Sequence, residues 1–195
     1  AGFDVTGVDL VRQKHYPFRF IRANALRPPV RLDAFDLIWA SPPCQAYTAL
    51  KTMPNAKQHP DLIPATRQML KAAGVPYIIE NVPGAPLRAT LMLCGTMFGL
   101  GTGDAELRRH RYFELSFPPP MVGPCQHYTW SLVCGVYGHS GGSSVRDGTQ
   151  QFTTEQRREA MGIDWMTGNE LSQAIPPAYG EFIGKAFRVF AERKQ

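Results

Sequence analysis

The sequence predicts an α/β protein built on parallel strands, and three observations predict it. Short apolar runs recur early in the chain: Val5-Thr6-Gly7-Val8-Asp9, Phe18-Arg19-Phe20-Ile21, Phe35 to Ala40, and Tyr77-Ile78-Ile79-Glu80. Each reads as a strand. Between the last two, Leu62, Thr66, Met69, Leu70 and Ala73 recur at helical spacing, and a helical crossover implies parallel pairing. Ligands of such sheets gather at the carboxyl ends of the strands. Asp9, Cys44 and Glu80 all fall at or just past such ends.

The elements follow in order. The first strand ends in an acid, Asp9. The third, Phe35 to Ala40, reads as buried and runs directly into Ser41-Pro42-Pro43-Cys44-Gln45. Consecutive prolines cannot continue a sheet, and each restricts the residue before it, so they set the backbone that presents the thiol. In the helix Asp61 is the expected N-cap, Pro64 falls in the first turn, and Gly74 then Pro76 close it. Arg111-Tyr112-Phe113-Glu114-Leu115 reads as a further strand. Pro118-Pro119-Pro120 breaks the pattern, and the stretch from Gly135 to Gly148 is rich in glycine and serine. Residues 116–151 therefore read as a small insertion with flexible loops. Thr153-Thr154-Glu155-Gln156 is a capping-box pattern opening a helix that stops at Gly162. In the last helix Tyr179, Phe182, Ile183, Ala186, Phe187 and Phe190 share a face, which reads as core packing against the sheet. The expected division is 1–115 as the main α/β domain, 116–151 as the insertion, and 152–195 as helices completing the main domain.

Composition bounds the function loosely. The 195 residues suffice for one domain with a real core and a small insertion. The formal net charge of +5 is a mild bias toward polyanions and equally a solubility device. No apolar stretch is long enough to cross a bilayer, and no signal peptide is visible. The four cysteines, Cys44, Cys94, Cys125 and Cys134, are irregularly spaced. That excludes a disulfide scaffold and favours a reducing cytoplasm. Cys125, His127 and Cys134 offer metal donors, but the group is one ligand short of the usual structural zinc set and lacks its close cysteine pair, so no metal is predicted.

Three segments line up with a known pattern. Ser41-Pro42-Pro43-Cys44-Gln45 resembles the proline-cysteine motif of the DNA cytosine-5 methyltransferases. Glu80-Asn81-Val82 resembles their Glu-Asn-Val motif, and Arg109-His110-Arg111 their Arg-x-Arg motif. Gly7-Val8-Asp9-Leu10 is similar to the family's cofactor acid motif. Arg157-Arg158-Glu159-Ala160-Met161-Gly162 and Gln173-Ala174-Ile175-Pro176-Pro177 are similar to its two closing motifs. Order and spacing agree along nearly the whole chain, and the Arg-His-Arg-Tyr-Phe-Glu wording resembles compact bacteriophage-type members. Taken singly, each residue has a plainer alternative: a buried small thiol, a turn-shaping glutamate, a solvated basic face, a strand-end acid. Their ordered coincidence points to function.

The resemblance implies a Rossmann-like, S-adenosylmethionine-dependent fold with helices on both sheet faces, the insertion serving target recognition. It implies methyl transfer to C5 of a cytosine flipped out of double-stranded DNA, by a monomeric cytoplasmic enzyme. Cys44 would add to C6 as a thiolate and make C5 nucleophilic. Glu80 would share a proton with N3, and Arg111 would hold O2. Arg109 would assist or bind a backbone phosphate. Asp9 would accept from the cofactor ribose, Leu10 and Ala25 would cover the adenine, and Asn24, where the family usually has Asp, would accept from its amino group. Pro43 would lie beside the cytosine, with Gln45 and Asn81 bracing the loop. His139 and Arg146 are candidates for DNA contact. The family's opening strand and glycine-rich loop are expected to be missing from this chain. The same motifs also admit methylation of RNA, or a catalytically inactive DNA-binding relative.

Overall fold

The computed structural model describes residues 1–48, 59–88, 91–137 and 151–193. In chain order its elements are β1 (Thr6–Asp9), β2 (Arg19–Arg22), β3 (Ile38–Ala40), α1 (Ile63–Ala73), β4 (Tyr77–Asn81), β5 (Leu91–Leu93), β6 (Gly101–Thr102), β7 (Ala105–Glu106), β8 (Arg111–Leu115), β9 (Leu132–Val133), α2 (Thr154–Met161), α3 (Gly168–Gln173) and α4 (Pro177–Glu192). The protein is a mixed α/β chain with several sheets, and among the described residues no helix is long and apolar enough to cross a membrane. It divides into two compact units. The first comprises Gly2–Leu91 with Tyr112–Pro119, the second Met92–Arg111 with Pro120–Gln195 and Ala1. This division does not follow the expected boundaries at 115 and 151. Within the expected insertion, β9 pairs in parallel with β7, and Cys134 and Val136 belong to the core that also buries Leu107 and Met161.

In the first unit β1 and β2 pair in parallel, from Thr6 opposite Arg19 to Asp9 opposite Arg22. No helix covers the connection between them. It folds on Tyr16 instead, whose ring meets Phe18 and Phe20 edge-on at 5.6 and 5.9 Å. Gly7 admits that ring, because a Cβ there would lie 2.7 Å from it.

The strands β3 and β4 are also parallel, with Ala40 opposite Ile79, and β8 runs antiparallel to β4 with Asn81 opposite Tyr112. The third strand, Ile38–Ala40, is shorter than expected and half-buried rather than buried, and a 3-10 turn, Leu32–Ala34, precedes it. Helix α1 buries Ile63, Thr66 and Leu70. Leu70 packs on Tyr77 and Ile79, flanked by Ile38, Ala40, Met69 and Leu87. Each such fully buried aliphatic side chain contributes about 1.5–3 kcal/mol. Pro64 lies in the first turn and Gly74 closes the helix at φ 73°, as expected. The N-cap position belongs to Leu62, not Asp61. Asp61 still serves that end: its carboxylate accepts from the Ile63 N–H at 3.0 Å and from the Tyr47 hydroxyl.

A buried ion pair ties α1 to β8. Arg67 donates to both carboxylate oxygens of Glu114, at 2.8 and 2.6 Å, and the Arg88 N–H adds a bond at 2.9 Å. Burial by itself would raise the Glu114 carboxyl. The guanidinium and the Arg88 N–H outweigh it and hold the group below its usual range.

In the second unit β6 is antiparallel to β7 and β7 parallel to β9. The expected capping box opens α2: Thr153 Oγ1 accepts from the Gln156 N–H at 3.2 Å, and Gln156 Oε1 accepts from the Thr153 N–H at 2.9 Å. A second box, Thr167 with Glu170, opens α3. That helix was not expected, although the T-x-x-E signal is present, because its 6 residues carry too little periodicity to read. Helix α4 buries Tyr179, Ile183 and Phe187, and the rings of Tyr179 and Phe182 meet Phe98 at 5.2 and 5.6 Å. The apolar stripe of the last helix is core.

Candidate functional site

The loop carrying Cys44 leaves the carboxyl end of β3, beside the carboxyl end of β4. Ala40 is the last residue of β3 and lies opposite Ile79, so Glu80 is the next residue along the neighbouring strand. A side-chain bond then ties loop to strand. Asn81 Nδ2 donates to the Pro42 carbonyl at 2.8 Å, while Asn81 Oδ1 accepts from the Val82 N–H at 3.0 Å. Asn81 is 1% exposed and Glu80 6% exposed, so the bond is made away from water, where it is strongest. Past the prolines the chain turns: the Cys44 carbonyl accepts from the N–H groups of Tyr47 and Thr48 at 2.9 and 3.2 Å. Cys44 itself is half-buried, and its neighbours Pro43 and Gln45 are exposed. The nucleophile candidate and the acid candidate thus share one rim of the first unit.

Arg109 and Arg111 belong to the second unit. Arg109 is 1% exposed. Its guanidinium donates to the carbonyls of Ala174 at 2.9 Å, Val136 at 2.5 Å and Ser172 at 2.7 Å. It also lies over the Tyr137 ring, 5.8 Å from its centre. In return the Tyr179 hydroxyl donates to the Arg109 carbonyl at 2.7 Å. In this structure the Arg109 guanidinium clamps backbone. Arg111, 9% exposed, donates from Nη1 to the His110 carbonyl at 2.8 Å and opens β8 immediately before Tyr112.

The four residues expected at the cofactor adenosine also share a rim. The Ala23 N–H donates to the Asp9 carbonyl at 2.9 Å, joining the ends of β1 and β2. The Asp9 carboxylate accepts from the Val11 N–H at 2.8 Å and from Gln13 Nε2 at 3.4 Å. A carboxylate has about four acceptor positions, so capacity for two hydroxyls remains. Leu10 is 62% exposed. Asn24 and Ala25 are exposed as well. Asn24 Oδ1 accepts from the Leu26 N–H at 2.9 Å, a local turn that leaves it one further lone pair.

His139 and Arg146 lie outside the described residues. All four cysteines are free, and Cys134 does not join Cys125 and His127. Cys134 is 1% exposed within the apolar cluster, where burial pushes its thiol up to about 11. Cys125 and His127 stand with Cys94 and His110 instead.

Sequence reasoning missed three features. The Arg67–Glu114 pair joins residues far apart in the chain and has no local signal. Cys94 and His110 sit in separate segments, and His110 was read only as the middle of Arg-His-Arg. The third is an exposed aromatic pair in the segment expected to recognise the target. Tyr128 and Trp130, 46% and 78% exposed, stack at 5.0 Å with an interplanar angle of 24°. Two open clefts lie elsewhere in the second unit, one beside Arg158 and Trp165, the other beside Thr96 and Gln126. Neither includes a residue of the predicted site or a convergent nucleophile and acid, so the strand-end rim of the first unit carries the functional argument.

Compared with known proteins, the chain matches no family model, no curated protein and no solved structure.

Proposed function

We propose that the protein methylates C5 of cytosine in double-stranded DNA through a covalent adduct between Cys44 and C6. The observation that carries the reading is the Asn81–Pro42 bond. It holds a Pro-Pro-Cys loop against the strand end that presents Glu80, the relation a nucleophile and its proton partner need. The parallel pairs β1–β2 and β3–β4, with β8 antiparallel to β4, support assigning the strands to a Rossmann-like sheet.

The residues divide the work as follows. The Cys44 thiolate bonds to C6, and the electron pair of the C5–C6 double bond moves toward C5 while Glu80 shares its proton with N3. The family resemblance assigns the positive charge at O2 to Arg111. The consecutive prolines Pro42 and Pro43 just before Cys44 limit the loop's excursions, and Asn81 ties the Pro42 carbonyl to the strand that carries Glu80. S-adenosylmethionine would supply the methyl group as an electrophile attached to a sulfonium; the spare acceptor capacity of Asp9, the exposed Leu10 face and the free lone pair of Asn24 fit its adenosine half. Once C5 carries the methyl group, a base removes the C5 proton, the Cys44–C6 bond breaks, and the thiolate and a methylated base are released.

Trapping tests the reading. The protein is incubated with S-adenosylmethionine and duplex DNA containing 5-fluorocytosine, which has no C5 proton to lose. A covalent protein–DNA species that survives denaturation, and is lost in Cys44→Ala, is the expected result. No adduct, or an equal adduct from Cys44→Ala, overturns the reading. An adduct with 5-fluorocytosine RNA alone moves the same chemistry to the other polymer.

A further inference from the structure

Among the described residues, one group of side chains outside the proposed catalytic rim converges with metal-ligating atoms. The ligand atoms of Cys94, His110, Cys125 and His127 all lie within 4.8 Å of one another. Two sulfur–nitrogen contacts organise the group: Cys94 Sγ to His127 Nε2 at 3.2 Å, and Cys125 Sγ to His110 Nε2 at 3.6 Å. The imidazole rings meet edge-on, their centres 5.0 Å apart. All four residues belong to the second unit.

From this geometry we infer that the second unit binds one structural zinc ion through Cys94, His110, Cys125 and His127. Metal–ligand distances of about 2.0–2.3 Å in a tetrahedron put neighbouring ligand atoms on the order of 3.5 Å apart. The two observed contacts already match that spacing, and the remaining ones need to contract by roughly an ångström. The donor set itself selects the metal. Two thiolates and two imidazoles without a carboxylate suit zinc and not the oxygen-seeking cations. A hydrogen-bonded thiol and imidazole need only one such pair, whereas here two pairs from separate stretches of chain meet at one point. A supporting contact is present too: Thr96 Oγ1 lies 3.2 Å from Cys94 Sγ, the kind of outer contact that orients a ligand.

The placement explains what orders a part of the chain that has little else. No helix or strand occurs from residue 117 to residue 127. Cys125 and His127 end that stretch, and the metal would staple them to Cys94, just ahead of the 3-10 turn Gly95–Phe98, and to His110. Because His110 stands between Arg109 and Arg111, the same ion would fix the backbone that presents both arginines. The zinc site stands independently of the methyl-transfer reading, since its test measures metal and not activity.

The full chain is purified under reducing conditions, dialysed with Zn²⁺ and then against buffer, and its metal content measured. One retained zinc per chain is expected. With Co²⁺ in its place, the visible bands of tetrahedral cobalt and a near-ultraviolet thiolate charge-transfer band of two-thiolate intensity are expected. Cys94→Ser and His127→Ala each lose the retained equivalent, while Cys134→Ser keeps it. A chain that retains no zinc, or one in which mass spectrometry finds a Cys94–Cys125 disulfide under these conditions, overturns the proposal. So does a Cys94→Ser variant with an unchanged cobalt spectrum. If a variant fails to fold, the cobalt spectrum of the unmodified chain decides: absence of thiolate charge transfer refutes the site.

Discussion

Each unit is tied together by an arginine, Arg67 in the first and Arg109 in the second, and they are used differently. In the first, Arg67 meets a carboxylate, Glu114, and joins a helix to a strand that is already hydrogen-bonded in a sheet. In the second, Arg109 donates to the carbonyls of Ala174, Val136 and Ser172, from segments where strands are short or absent. Where a sheet already satisfies the backbone, a buried charge needs a counter-charge. Where the sheet is sparse, a guanidinium stands in for the missing backbone donors, with five N–H groups in one rigid plane. The functional candidates follow the same division. Cys44 and Glu80 are placed by strand ends and one amide bond. Arg111 opens β8, and its guanidinium donates to the His110 carbonyl.

Breaking the second clamp should cost most. Arg109→Ala leaves buried carbonyls without donors, and each unsatisfied group costs about 1–3 kcal/mol, so a loss of about 4 kcal/mol is expected in urea unfolding. Arg109→Lys should recover little of it, because one ammonium cannot span the three carbonyls. An Arg109→Ala chain of unchanged stability would remove the contrast between the units.

Arg67→Ala should cost about 3 kcal/mol, since it strands a buried carboxylate. The pH dependence carries the sign. The folded Glu114 carboxyl is held below its usual range. Its contribution is therefore complete above the unfolded value, near about 4.3, and lost as pH falls through the folded one. Glu114→Gln should flatten the stability profile below about pH 4. A profile as steep as that of the parent chain would show that other groups drive acid unfolding.

Asn81→Ala should destabilise by about 1–2 kcal/mol, the value of one buried hydrogen bond and its exposed partner. On the methyl-transfer reading it should slow adduct formation by on the order of 10²-fold, because it frees the loop that positions the thiol. Equal loss of stability with unchanged trapping would mean the bond serves folding alone.

The smallest effect should come from Trp130→Ala. At 78% exposure the side chain contributes little to folding. If the Tyr128–Trp130 stack meets a base, DNA affinity should fall by about 1 kcal/mol, roughly five-fold, in an anisotropy titration.

Much of the rim was legible in the sequence. Strand ends advertise themselves, because an apolar run that stops at a proline or an acid says where the sheet ends and what stands there. Cys44, Glu80 and Asp9 were found that way, as were the closing turn of α1 at Gly74 and the capping box at Thr153. The carbonyls that Arg109 clamps were not legible, because an arginine beside a histidine and a second arginine offers no local sign of burial. Only the carbonyls of Val136, Ser172 and Ala174, brought in from elsewhere, show it. The spatial neighbours of Cys125 and His127 were hidden for a related reason. Cys134 is close to His127 in sequence, but its strand-adjacent position turns it into the apolar cluster, and Cys94 takes its place from far upstream.

By itself, the sequence determined the local periodicities, the turns and the chemistry available at each strand end, since these depend on neighbouring residues and on the geometry of a single chain segment. Tertiary structure alone decided which distant groups share a point in space: Asn81 with Pro42, Arg67 with Glu114, Arg109 with its carbonyls, and the two cysteines with the two histidines. Those pairings depend on how buried polar groups find partners once the core has closed, and no local pattern encodes that choice.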